Sequence, residues 1–325
     1  MKISILDDYQ NAVRTLACFP KLAGHQVTVW NDHTKDTGLL AQRLADTEAL
    51  VTIRERTPIR APLIERLPKL KLISQTSVFP HIDVDACTSR GILLCSDLHP
   101  GEPSYATAEL AWCLIISALR SVPQEVAALK GGRWQSTIGS ALRGRTLGIL
   151  GYGRIGAVLA RYGKAFEMNV LAWGRDRSAQ RARADGVEFA ASKKALFERS
   201  DVLTLHVRLT PETRGLVTAS DLARMKPTAL IVNTSRAGLI EPGALAAALK
   251  RGRPGRAAVD VYEEEPLLNP DYPLLKMDNV VCTPHLGYVE RDGYERIFSV
   301  VFDQILAFAA GKPFNVINPG ALKKS

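Results

Sequence analysis

Cysteine is scarce and unpatterned. The chain has five, Cys18, Cys87, Cys95, Cys113 and Cys282. The number is odd and no C-x-x-C pair occurs, so neither a disulfide framework nor a zinc site is indicated. Such usage fits a reducing compartment, and a cytoplasmic protein is expected. Long hydrophobic runs are also missing. The longest, residues 110–119 (LAWCLIISAL), is about half of a membrane span and reads as a core helix, so no membrane partner is expected. The N-terminal MKISILDDYQ enters a strand-like run and lacks signal-peptide architecture. There is no block of five or six like charges, no low-complexity segment and no internal repeat. Lys and Arg number 42 against 33 Asp and Glu, a net +9, but this excess is dispersed. It reads as a solvated basic surface suited to an anionic ligand, and no nucleic-acid partner is expected.

What is present is enough for two domains. The chain has 325 residues, 46% of them hydrophobic and 23% charged, a composition of folded globular proteins. Short β-like runs alternate with helical stretches through the first hundred residues: KISIL, HQVTVW, EALVTI, LKLIS and GILLC. That alternation predicts a parallel, doubly wound sheet. The stretch 97–103 (DLHPGEP) breaks the pattern with two prolines and a glycine, and a domain crossing is placed there. A helix over 104–121 follows, and then a second alternating series. Its strands are TLGIL, NVLAW, DVLTLHV, TALIVN, RAAVDVY and NVVCT. Pro242 at a helix start and Gly252 past its end bracket one connecting helix. A last amphipathic helix, about 290–310, follows the second sheet, and the tail GKPFNVINPG reads as packing back. The expected organisation is a discontinuous substrate domain, 1–99 plus 288–325, around a dinucleotide-binding domain, 100–287.

Strand, glycine turn and helix stand in series in TLGIL, GYGRIG, AVLARYGKAF. Gly151, Gly153 and Gly156 fit G-x-G-x-x-G: a tight turn, close backbone approach to a pyrophosphate, and close helix–strand packing. The helix start then offers N–H groups and a positive dipole end to the phosphates. An NAD site would carry Asp or Glu at the end of the next strand, NVLAW. Gly174 stands there, followed by Arg175, Asp176 and Arg177. Glycine and arginine make room for a 2′-phosphate and can pair with it, so NADP is favoured over NAD. The other reading is that Asp176 serves the ribose and both arginines are solvated.

Three polar residues stand at later strand ends, where ligands of such sheets bind: Arg236 in VNTSRAGLI, Glu265 in DVYEEEP and His285 in CTPHLG. Together they suit reduction of a 2-keto acid. Arginine grips a carboxylate, histidine passes a proton to the developing alkoxide, and a carboxylate favours the imidazolium and fixes its ring. Each also has a plainer reading. Arg236 could meet only phosphate or a surface acid, Glu265 belongs to a run of three glutamates, and His285 follows a proline in a turn. His81 and His206 read as structural, and Trp112 and Trp134 as core or interface aromatics. Arg54 in TIRERT could help hold an acidic substrate or be a surface arginine.

The ordered set GYGRIG (151–156), DVLTLHVRLTPETRGL (201–216), VNTSRAGLI (232–240), AAVDVYEEEP (257–266) and TPHLG (283–287) resembles the D-isomer-specific 2-hydroxyacid dehydrogenase family over nearly the whole chain. The resemblance implies a Rossmann cofactor domain inserted into a flavodoxin-like substrate domain, both α/β. It implies Arg236 as substrate-binding arginine, His285 as general acid/base and Glu265 as its partner. Asp260 would lie near the nicotinamide carboxamide, with Arg154 and Ile155 over the pyrophosphate, no metal, and a homodimer built on the cofactor domains. Gly174 with Arg175 is similar to the NADP-preferring reductase branches. In SQTSVFPHID (74–83), Ser77, Val78 and Phe79 replace a glycine-rich loop whose N–H groups hold the substrate carboxylate. Arg208 replaces a usual proline.

The leading expectation is therefore an NADP(H)-dependent reductase of small 2-keto acids such as glyoxylate or hydroxypyruvate. The alternatives are an NAD-linked dehydrogenase running oxidatively and a non-catalytic, corepressor-like nucleotide sensor.

Overall fold

The computed structural model describes residues 1–98 and 105–323. Contacts divide the chain into two compact units, Met1–Glu102 with Glu290–Ser325, and Pro103–Val289. The domain crossing expected at 97–103, the boundary at 99/100 and the helix start at Ser104 lie wholly or mainly outside the described residues.

In the first unit, five parallel strands stand in the order β2-β1-β3-β4-β5. They are β1 (Lys2–Ile5), β2 (Gln26–Val29), β3 (Ala49–Val51), β4 (Leu72–Thr76) and β5 (Leu93–Asp97). The helix Arg291–Ala309 packs on β4, where Ser74 Oγ lies 2.6 Å from the buried Gln304 Oε1. The tail closes the sheet edge. Val316 bridges Cys95, Ile317 N–H donates to Leu94 O, and Asn318 bonds Leu94 N, Ile92 O and Thr88 Oγ1. The tail therefore satisfies backbone groups that an edge strand would leave open.

The second unit holds seven parallel strands in the order β12-β11-β10-β9-β6-β7-β8. These are β6 (Thr146–Leu150), β7 (Asn169–Trp173), β8 (Glu188–Phe189), β9 (Val202–Leu205), β10 (Leu230–Asn233), β11 (Arg256–Val259) and β12 (Val280–Cys282). Successive strand residues are buried on opposite faces. Leu147, Ile149, Leu230, Val232 and Ala258 join one core cluster, while Leu150, Leu203, Ile231, Ala257 and Val259 join the other. A parallel sheet covered on both faces explains why these strands read as continuous apolar runs. The helices Arg154–Ala165 and Asp176–Ala184 follow β6 and β7 and return the chain for the next parallel strand.

Some boundaries differ from the sequence reading. β8 was not expected; it is two residues long and carries no apolar run. The helix bracketed by Pro242 runs Ala244–Lys250, because Gly243 precedes it in the left-handed conformation at φ 72°. Pro242 is thus outside the helix, whereas Gly252 does follow its end at φ 72°. Trp112 is buried in the core and Trp134 is exposed. Among the described residues no single helix is long and apolar enough to cross a membrane. Tyr105–Leu119 and Val122–Lys130 pass such a test only as a pair bent by 60°, and the first of them carries seven buried residues.

Candidate active site

All strands of the second sheet are parallel, so the loops after them share one edge. The turn Gly151–Gly156 follows β6, Gly174 follows β7, Arg236 follows β10, Asp260 to Glu265 follow β11, and His285 follows β12. The sheet puts the expected residues on one edge in this order, although they come from distant parts of the chain.

The histidine loop is built by Asp260. Its side chain is fully buried and receives three donors. Thr283 Oγ1 and Leu286 N reach Oδ1, both at 2.7 Å, and Gly287 N reaches Oδ2 at 2.9 Å. Burial pushes the Asp260 carboxyl above the ordinary range, against these donors and the nearby His285. Gly287 O in turn accepts from Thr107 Oγ1 at 2.7 Å. The Asp260 oxygens thus shape the loop 283–287, and its expected place near the carboxamide of the cofactor stays a proposal.

That loop presents His285 at φ 52°, with Nδ1 2.5 Å from Glu265 Oε2. Tyr262 N–H donates to Glu265 Oε1 at 2.9 Å, so both carboxylate oxygens are engaged and the acid cannot swing. Tyr262 OH donates to Thr283 O at 2.9 Å, tying the glutamate turn to the histidine turn. Tyr288 meets the imidazole edge-on, with centroids 5.3 Å apart. The His285 and Glu265 side chains are 19% and 29% exposed, so the pair is partly shielded yet reachable. The run of three glutamates is therefore not one solvated face. The structure joins Glu265 to His285, and Glu263 accepts from Tyr272 OH at 2.6 Å.

Arg236 comes from the neighbouring strand end. Asn233 folds its turn: Oδ1 accepts from Ser235 N and Nδ2 donates to Arg236 O, both at 3.0 Å. Such side-chain bonding to nearby backbone is what asparagine does at turns. Arg236 Nη1 donates to Ser235 O at 2.8 Å.

The glycine turn fits a dinucleotide. Gly151 has φ 94°, and a Cβ there would lie 2.7 Å from His206 O; one on Gly156 would lie 2.7 Å from Gly151 O. Around a Cβ on Gly153, by contrast, nothing stands within 4 Å. Backbone packing therefore demands two of the glycines. The third keeps open the approach to the N-terminus of Arg154–Ala165, where Gly153 is the N-cap without a side-chain cap. Arg154 is exposed and Ile155 half-buried beside it. Gly174 is half-buried, and Arg175 and Arg177 are exposed. Exposed Arg208 lies on the same edge after β9.

In the first unit, Arg54 has φ 57° and Ser77 φ 75°, each just past the carboxyl end of its strand. Arg54 Nε lies 3.7 Å from Glu55 Oε2. Ser77 N–H is committed to Asp97 O at 2.6 Å, and Ser77 O accepts from Ser96 Oγ at 2.7 Å. Val78 and Phe79 N–H have no partner among the described residues. His81 is buried, with neither ring nitrogen bonded among the described residues. His206 Nε2 lies 2.8 Å from Thr204 Oγ1, and burial lowers it. Both histidines are structural. Among the described residues no group of three or more His, Cys, Asp or Glu is placed to hold a metal.

Reading of the sequence missed Tyr262, Thr283 and Tyr288 as builders of the site. Two of them stand inside the motifs already marked, AAVDVYEEEP and TPHLG, and the third follows directly.

Comparison with known proteins agrees with this geometry. A family model described as the D-isomer specific 2-hydroxyacid dehydrogenase NAD binding domain matches residues 112–287. A Ralstonia solanacearum structure described as a D-3-phosphoglycerate dehydrogenase oxidoreductase is 52% identical, with a TM-score of 0.95 over 99% of this chain and 98% of that one. A glyoxylate reductase of Thermococcus litoralis is 34% identical over 93% of each chain. The D-3-phosphoglycerate dehydrogenase of Archaeoglobus fulgidus is 38% identical over 88% of this chain but only 54% of its own length. These relatives carry different substrate names, glyoxylate and D-3-phosphoglycerate, while the fold of the solved relative is shared. This chain belongs to the D-isomer-specific 2-hydroxyacid dehydrogenases, a family of nicotinamide-dependent oxidoreductases.

Proposed function

We propose that the protein reduces a small 2-keto acid, such as glyoxylate or hydroxypyruvate, to the D-2-hydroxy acid with NADPH. The bound nicotinamide supplies the hydride. Arg236 grips the substrate carboxylate and draws charge from the adjacent carbonyl oxygen. His285 gives the proton from Nε2 to that oxygen, and takes it back in the reverse direction. Glu265 holds Nδ1, fixing which nitrogen faces the substrate and stabilising the charged ring, as the aspartate does in a serine-protease triad. Gly151, Gly153, Arg154, Ile155 and Gly156 hold the pyrophosphate; Gly174 and Arg175 hold the adenosine end. From the first unit, Val78 and Phe79 N–H and Arg54 are substrate-binding groups, and Ser77 contributes by shaping their loop.

The observation that carries this reading is the contact of His285 with Glu265 at 2.5 Å, braced by Tyr262. Spectrophotometric titration with NADPH and NADH separately, followed by a panel of 2-keto acids, tests it. Turnover with short 2-keto acids and tighter binding of NADPH are expected; no turnover with any of them sinks it. One feature favours NAD instead: the exposed carboxylate of Asp176, first residue of its helix, can accept from a ribose hydroxyl.

The working form is proposed to be a cytoplasmic homodimer. The second unit carries apolar groups with nothing over them, Trp134 at 76% and Ile138 at 94% exposure, and a shallow groove lined by Trp112, Ile116, Tyr162 and Phe166. A second copy that covers both would bury them twice by symmetry. All five cysteines are free thiols, which fits a reducing compartment.

A further inference from the structure

The end of β7 is closed by a side chain from the next helix. A Cβ built on Gly174 would lie 2.9 Å from Ser178 Oγ, 3.0 Å from Ser178 Cβ and 3.7 Å from Gly151 Cα. Ser178 belongs to the first turn of Asp176–Ala184, a helix whose N-cap is Arg175. Its N–H donates to Arg175 O at 2.7 Å, and this turn lays the hydroxyl back over the strand end. The hydroxyl has no hydrogen-bond partner among the described residues. Arg175 and Arg177 precede it in the chain, both exposed. The acids near this turn are Asp176, also exposed, and Glu212, whose carboxyl is held low by Thr210 and more weakly by Arg175.

We infer that Ser178 is the specificity-determining residue for the cofactor, acting in two ways. Its hydroxyl donates to a 2′-phosphate at the N-terminus of the helix, between the two guanidiniums. Its bulk also shuts out the strand-end carboxylate that a free 2′-hydroxyl calls for. Rotation about χ1 moves the serine oxygen but not its Cβ, so an acid at position 174 forces strand and helix apart. Cofactor choice is then a property of the pair 174 and 178. The inference rests on the NADPH reading and names the residue that enforces it.

Calorimetric titration with adenosine 2′,5′-bisphosphate and with AMP separates the two, without turnover. The wild-type protein is expected to bind the bisphosphate at least ten-fold more tightly. Ser178→Ala lowers that preference by about ten-fold, the loss of one hydrogen bond to a charged group, and leaves AMP unchanged. Gly174→Asp alone binds both ligands and NADH poorly, whereas Gly174→Asp with Ser178→Gly gains NADH. An unchanged preference in Ser178→Ala, or a single Gly174→Asp that binds NADH as well as the double variant, overturns the role of Ser178 and leaves the NADPH reading standing. Equal binding of the two ligands by the wild type overturns that reading and this one with it.

Discussion

At the scale of single residues, His285 is held where few side chains rest. A left-handed backbone costs a non-glycine residue about 1–2 kcal/mol, and here the three donors to Asp260 and the contact with Glu265 hold it in place. Replacement by alanine removes the proposed proton donor without touching the glycine turn. His285→Ala is expected to lose about 10²–10⁴ in kcat with an unchanged dissociation constant for NADPH, measured by fluorescence. Comparable losses in both would assign His285 to binding. His81 shows the opposite use of the same side chain. Burial holds it down to about 4 from the ordinary 6.5. Between those values the unfolded chain binds a proton that the native one refuses. Its stability is therefore whole above about pH 6.5 and falls on acidification, by roughly 2–3 kcal/mol at pH 4. His81→Leu removes this slope, and its urea midpoint should drop less than that of the wild type between pH 7 and 4.5. Parallel declines refute the assignment.

At the scale of elements, the glycine turn separates folding from binding. Ala fits the backbone at Gly153, φ −99° and ψ −152°, and its methyl meets nothing in the chain. Gly153→Ala is expected to keep its Tm and lose more than ten-fold in cofactor affinity. Gly156→Ala presses on Gly151 O and is expected to lose about 1–3 kcal/mol of stability, read as a lowered Tm. A Gly153→Ala protein that melts early, or that binds normally, defeats the division of roles. The same elements show what a sequence can disclose. Strands such as β6 and β10 were legible because both faces are covered and their residues are mostly apolar. β8 was not, since two residues carry no periodicity. The strand reading of DVLTLHV and RAAVDVY overran β9 and β11, whose last bonds to the neighbouring strands come from His206 N to Leu150 O and Asp260 N to Asn233 O. Arg236, Glu265 and His285 were legible as polar residues just beyond apolar runs. The brace of Tyr262 and the three bonds to Asp260 were not, because they depend on how two loops meet. Nor was the loss of Ser77 N–H to Asp97, a pairing across adjacent strand ends.

At the scale of the whole molecule, the charge and the exposed apolar groups make separate demands. The +9 excess is dispersed along the chain, and basic residues such as Lys21 and Arg199 stand paired with Asp303 and Glu188. Exposed pairs of this kind contribute about 0–1 kcal/mol each. No retention on a DNA column at moderate salt is expected; salt-dependent retention with a steep slope would argue for a nucleic-acid surface. The apolar groups point to self-association. Trp134→Ser with Ile138→Ser is expected to shift the size-exclusion position from that of the proposed dimer to that of a monomer, and an unshifted peak removes them from the contact. The interruption of the first unit by the second has its own outcome. β4 awaits the helix Arg291–Ala309 and β5 awaits residues 315–318, all made more than two hundred residues later. During synthesis the inserted unit can close on itself as soon as it emerges, while the opening third of the polypeptide must wait unfinished. Folding can thus proceed from the inserted unit outward, with residues 291–318 completing the unit that residues 1–97 begin.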